Sequence, residues 1–157
     1  MTNGAFTEIL LGLLAILLLY AAVVDVRTFT ISNRLNLAIA LLAPVSWLSA
    51  GVPLWPEAAI IVAVAAGVFV LLAAAFYAGM MGGGDVKLAA ALALWFSPLT
   101  TVNFLIWMSI GGGILTAVVL VLHRMKKKPG KPEVPYGVAI AFGGLAILIQ
   151  RFLNQFA

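Results

Sequence analysis

Cysteine is absent from this 157-residue chain, and histidine occurs once, at position 123. No disulfide, thiolate nucleophile or cysteine-bound metal is therefore available. A single imidazole cannot assemble a zinc cage unless carboxylates supply the rest, so neither a metal nor another cofactor is expected. Charge is scarce as well: Asp, Glu, Lys and Arg make up 9% of the residues against 64% hydrophobic ones, whereas soluble domains carry roughly a quarter charged. Only five residues are acidic, and the only aspartates are Asp25 and Asp85. This composition predicts an integral membrane protein with no room for a separate soluble domain, a single transmembrane unit over residues 1–157. The formal charge of +4 owes much to Arg124, Lys126, Lys127, Lys128 and Lys131, one short run beside an apolar segment. Such a run suits anionic lipid headgroups and a loop held in the cytoplasm rather than nucleic acid.

What is present is long apolar sequence. Uncharged stretches run from Ile9 to Val24, Leu35 to Pro56, Ala58 to Gly84, Leu88 to Leu122 and Val134 to Gln150, and most approach the roughly 20 residues that a spanning helix needs. Met1 to Glu8 lacks the basic residues of a cleavable signal peptide, so the first helix, about Phe6 to Val24, is expected to be retained and to end at Asp25. The polar segment from Asp25 to Arg34 leaves the hydrocarbon, with Ser32 or Asn33 capping a second helix over about Asn33 to Ala50. Gly51 to Pro56 reads as a turn on the far side, with Trp47 and Trp55 as interfacial anchors. A third helix is expected from about Pro56 to Gly79.

Leu88 to Leu122 is too long for one span, since 35 residues of helix measure about 52 Å against a hydrocarbon core of about 30 Å. Ser97-Pro98 supplies a break, because the residue before proline is pushed out of helical geometry. The stretch then divides into a short helix from about Asp85 to Phe96 and a longer one from about Thr100 to His123. With that turn, Arg27, Arg34, Lys87 and the basic run all fall on one side, as the positive-inside rule requires. A last helix covers about Tyr136 to Phe152. The expected fold is all-α and polytopic with six transmembrane helices. Gly111 to Gly113 and Gly143-Gly144 read as sites of close helix packing.

In this topology Asp25 closes the first helix and Asp85 opens the fourth, at the same end of the bundle. Ionisable residues at membrane depth are costly and mark function. Two neighbouring carboxyl groups cannot both ionise cheaply, so they share a proton and leave one base and one acid. Peptide hydrolysis needs that combination: the base activates water while the acid protonates the carbonyl oxygen and then the leaving amine. A structural reading stands beside it, in which Asp85 caps a helix and Asp25 pairs with Arg27 at the water boundary. Gly82, Gly83 and Gly84 leave the backbone before Asp85 bare, so that a substrate strand can approach main chain to main chain. They also predict a mobile junction, with the two carboxyls beyond direct hydrogen-bond reach until substrate pairs there. Lys87 is either an interfacial anchor or a restraint on the pair's charge, and Tyr136 is either an interfacial aromatic or a hydrogen-bond donor near the site.

Gly82-Gly83-Gly84-Asp85 fits the Gly-x-Gly-Asp signature of intramembrane aspartyl proteases, and Gly84-Asp85-Val86-Lys87-Leu88 resembles its form in type IV prepilin peptidases. Asp25-Val26-Arg27 with Ile31-Ser32-Asn33 is similar to that family's first-aspartate region, Ser32 standing where proline is usual. Pro135-Tyr136-Gly137 resembles its late Pro-aromatic-Gly element. The resemblance implies a bacterial inner-membrane peptidase with Asp25 and Asp85 catalytic and Gly82, Gly83, Gly84, Lys87, Asn33 and Tyr136 toward the substrate. It implies a prepilin whose basic leader stays cytoplasmic and is cut after a glycine next to its membrane helix, with pilus assembly proteins as further partners. The chain looks most like the short peptidases of tight-adherence pilus systems, for which methylation is not expected. A proton-coupled transporter and a noncatalytic assembly factor are the rival readings, since intramembrane aspartates also relay protons.

Overall fold

The computed structural model describes residues 4–126, 130 and 132–154. Among these residues all regular structure is helical: α1 (Gly4–Thr28), α2 (Asn33–Ala50), α3 (Ala59–Tyr77), α4 (Gly83–Ala93), α5 (Pro98–Met125) and α6 (Tyr136–Asn154). A single wide turn at Leu54–Ala58 leads into α3. The six helices fall where the hydrophobic pattern predicts them, with ends that differ by local chemistry. Lys127, Lys128 and Lys131 of the basic run lie outside the described residues, while Arg124 and Lys126 are exposed.

The first helix does not stop at Asp25 but runs three residues further. Phe29 N–H still donates to Asp25 O at 2.8 Å, and the helix ends only where Phe29 enters left-handed geometry, φ 51°. Ser32 then caps α2, its Oγ accepting from Leu35 N–H at 3.3 Å. Gly51, at φ 71°, closes α2 in the left-handed conformation that glycine adopts without a Cβ penalty. Pro98 occupies the first turn of α5 behind the cap Ser97, so the proline both breaks the long apolar stretch and starts the next helix.

Four segments are long and apolar enough to cross a membrane: α1, Leu54–Tyr77, α5 and α6. The 18-residue α2 carries Pro44 in its interior. The 11 residues of α4 rise only about 16 Å, about half of a hydrocarbon core. Beyond its C-terminal end lies a recess of about 500 Å³ whose lining includes Ser97, Asn103, Gln150 and Arg151. A polar recess of this kind is what allows non-helical backbone to sit at membrane depth.

α4 is nonetheless the centre of the bundle, packed against α2, α3 and α6. Leu88, Ala89, Leu92 and Ala93 are fully enclosed, together with Leu14, Leu18, Ile39 and Phe104 from the surrounding helices. α2 grips α4 at both ends: Asn36 Nδ2 donates to Gly84 O at 2.9 Å, and Trp47 Nε1 donates to Leu94 O at 2.8 Å. Trp47 is thus a buried tie rather than the interfacial anchor its position predicts, whereas Trp55 is 81% exposed. The glycine runs pack as expected in part. A Cβ on Gly143 would stand 2.9 Å from Met108 N, and one on Gly111 2.7 Å from Phe142, but Gly113 faces open space.

Candidate active site

Asp25 lies in the last turn of α1 and is 2% exposed; Asp85 lies in the first turn of α4 and is 8% exposed. Sixty residues apart in sequence, the two are brought to one end of the bundle around Ile31, which lies against Gly84 beside Asp85 and against Gly137 beside the Asp25 carboxyl. No hydrogen bond joins the two carboxyl groups among the described residues. Asp85 Oδ2 accepts from Gly82 N–H at 3.1 Å, so the carboxylate reaches back over its own helix terminus and satisfies one donor that the first turn leaves unpaired. Asp25 differs. The N–H groups of Gly137 and Val138, in the first turn of α6, face its carboxyl, yet its buried Oδ2 closes no hydrogen bond. A carboxylate at the positive end of α6 is favourably placed, and its unpaired oxygen remains free to take a proton. Arg27 is exposed and forms no ion pair with Asp25; the ion pair seen among the described residues joins Arg151 to Glu8 at 3.9 Å.

Ile31 sets this geometry, and the sequence marks it only within the stretch that resembles the family's first-aspartate region, with no role of its own. A Cβ on Gly84 would come within 2.7 Å of Ile31 O, and one on Gly137 within 2.5 Å of Ile31 Cδ1 and 2.7 Å of Asp25 Oδ2. The loop from α1 to α2 is therefore drawn in between α4 and α6, and it carries Asp25 with it. Gly84 is bare because the chain's own backbone lies against it. Gly82 leaves room for the Asp85 carboxylate, which a Cβ would approach to 2.9 Å, and Gly83 touches the Phe76 ring. Gly83 and Gly84 form the first turn of α4 rather than a loop ahead of it. Asn36 is a residue that the sequence does not single out: it holds the Gly84 carbonyl while its own Oδ1 stays buried and unpaired.

Lys87 and Asn33 are brought together, Nζ donating to Oδ1 at 2.8 Å, in an exposed position. They are not brought to the aspartates' face. Lys87 follows Asp85 by two residues, about 200° around a helix of 3.6 residues per turn, and it lines a groove between α2, α3 and α4. Tyr136 is half-buried one residue before Gly137 and lines a different groove, together with Met81. No cluster of three or more metal-ligating side chains occurs among the described residues.

No curated protein and no solved structure matches the chain. A model of the type IV leader peptidase family matches residues 12–117, a span that contains both aspartates, the glycine run and Ile31 but stops short of Tyr136 and Gly137. Two buried aspartates meeting at one end of an apolar helical bundle agree with that match, and the chain belongs to the type IV leader peptidase family.

Proposed function

We propose that this multi-pass membrane peptidase is an aspartic endopeptidase that removes the leader of small prepilins at the cytoplasmic face, with Asp25 and Asp85 as the catalytic pair. The observation that carries the reading is the convergence of these two buried carboxyls, the only aspartates of the chain, from α1 and α4. The ionised member takes a proton from water as the water oxygen bonds to the scissile carbonyl carbon, and the protonated member gives its proton to the carbonyl oxygen. When the tetrahedral diol collapses, the C–N bond breaks and the amine leaves with the proton taken from water. The diol hydroxyl returns a proton to the other carboxyl, so the pair ends as it began.

Several features support the cytoplasmic assignment. The aspartate end of the bundle carries Arg27, Arg34, Lys87 and Arg124, and the rule for basic residues near membrane helices puts such an end in the cytoplasm. A basic prepilin leader would then reach the pair without crossing the bilayer. Gly82 and Tyr136 lie beside the pair and are assigned to the substrate's extended segment, while Lys87 and Asn33 are assigned to the outer rim. Pilus assembly proteins and anionic lipids are the further partners of this reading.

The experiment is incubation of the purified protein with a prepilin in detergent. Wild type yields a shortened product, and Asp25→Asn and Asp85→Asn each lower the rate by about 100-fold or more while circular dichroism stays helical. Cleavage near the wild-type rate by either variant removes that aspartate from the mechanism.

A further inference from the structure

Several apolar grooves line the flank of the bundle, and they differ in how near they come to the residues that hold the aspartates. The first, about 720 Å³, lies between α2, α3 and α4. It contains Lys87 and so opens on the side of α4 turned away from Asp85. The second, about 530 Å³, lies between α5 and the C-terminal end of α3 with the residues Met80 and Met81 that follow it, and α6 forms its floor. These two helices touch only sparsely, although each packs extensively elsewhere, α3 on α4 and α5 on α6. The inner end of this second groove is formed by Met81 and Tyr136. Met81 is bonded to Gly82, whose N–H holds Asp85, and Tyr136 is bonded to Gly137, against which the unpaired Asp25 Oδ2 rests. The groove's inner end thus lies one residue in sequence from each of the two glycines that contact the aspartates.

We propose that the groove between α3 and α5 receives the membrane helix of the substrate, whose scissile segment passes over Met81 and Tyr136 to the aspartates. This rests on the leader-peptidase reading above. A peptide bond next to a membrane helix reaches buried carboxyls only if that helix lies within the bilayer against the enzyme. Lipid tails are as apolar as the helix, so the groove holds it by close packing. Gly113 supplies the space: it lines the groove and a Cβ there would meet nothing within 4 Å. Its neighbours Gly111 and Gly112 are already occupied by Phe142 and Ala139 of α6.

The test uses the full-length protein in proteoliposomes with a prepilin carrying one apolar helix. Gly113→Leu places a side chain in the groove from a position whose Cβ meets nothing within 4 Å, and Gly12→Leu, on the exposed face of α1 and equally open at its Cβ, is the control. Gly113→Leu raises KM about tenfold or more with a smaller change in kcat, and Gly12→Leu changes neither. A benzophenone placed on Thr116→Cys captures the prepilin, and one on Leu37→Cys in the other groove does not. Unchanged kinetics for Gly113→Leu overturn the proposal. Capture from Leu37→Cys alone overturns it too, as does capture at Thr116→Cys of only lipid or a second copy of the chain. The capture experiment stands even where Gly113→Leu folds poorly. If wild type leaves the prepilin uncut, the leader-peptidase reading itself fails; if wild type cuts and the groove variants behave as controls, only the groove assignment falls.

Discussion

Ile31 shows how an apolar side chain sets the position of two buried carboxyls. It fills the gap between Gly84 and Gly137, and the two glycines respond differently to a methyl group because different atoms face them. On Gly84 the nearest atom is the Ile31 carbonyl oxygen, 2.7 Å from an added Cβ, and main chain cannot turn aside. On Gly137 the nearest atoms are the ends of the Ile31 and Asp25 side chains, which rotate away at little cost. Gly84→Ala is therefore a stability variant, weakened by about 1–3 kcal/mol as an overpacked core is. Gly137→Ala keeps its melting temperature within a few degrees but moves the Asp25 carboxyl, and its kcat drops by about 10- to 100-fold. Thermal unfolding and prepilin cleavage measured on both variants check the contrast; equal stability losses with equal activity would refute it. Asp25 and Asp85 were legible in the sequence because charge is rare there and expensive in lipid. The positioning roles of Ile31 and Asn36 were not, since an apolar residue in a loop and an asparagine in a helix acquire such a role only from what the fold places against them.

At the scale of elements, α4 carries Asp85 yet is too short to hold its place by membrane insertion. Its position comes from α2, through Asn36 at one end and Trp47 at the other. The Leu94 carbonyl that Trp47 caps belongs to the last turn of α4, where helix carbonyls have no partner within the helix. Trp47→Phe keeps the ring but leaves that carbonyl unpaired in a buried setting, a cost of about 1–3 kcal/mol. The expected result is a lower unfolding temperature in detergent together with partial loss of cleavage, because Asp85 rides on the same helix. Trp55→Phe, at an exposed position, should change neither. A Trp47→Phe protein as stable and as active as wild type would show that α4 is held by packing alone. The sequence marked all six helices through uncharged length and proline position. It misjudged the ends near Asp25 and Gly82, because a helix continues through polar or glycine residues whenever a tertiary neighbour stabilises the extra turn, as Ile31 does for α4.

At the scale of the whole molecule, the two ends of the bundle differ in kind. One gathers Asp25, Asp85 and, among the described residues, the exposed cations Arg27, Arg34, Lys87, Arg124 and Lys126. The other is joined by a hydroxyl contact, Thr7 Oγ1 with Ser49 Oγ at 3.0 Å, and by an exposed ion pair, Arg151 with Glu8 at 3.9 Å. Arg151 is the single basic residue there against the run that closes α5, so the rule for basic residues decides strongly which end faces the cytoplasm. This predicts that both termini face outward and that the segments around Arg27, Gly82 and Lys127 face inward. The absence of cysteine makes the measurement direct, since any introduced thiol is the only one. Met80→Cys and Met125→Cys, at exposed positions of the aspartate end, should resist an impermeant maleimide in intact cells and react once the membrane is opened. Trp55→Cys should react in intact cells. Labelling of Met125→Cys from outside would place α4 and α5 within a single crossing and reverse α6, and a cytoplasmic leader could then no longer reach the Asp25–Asp85 pair by the route proposed here.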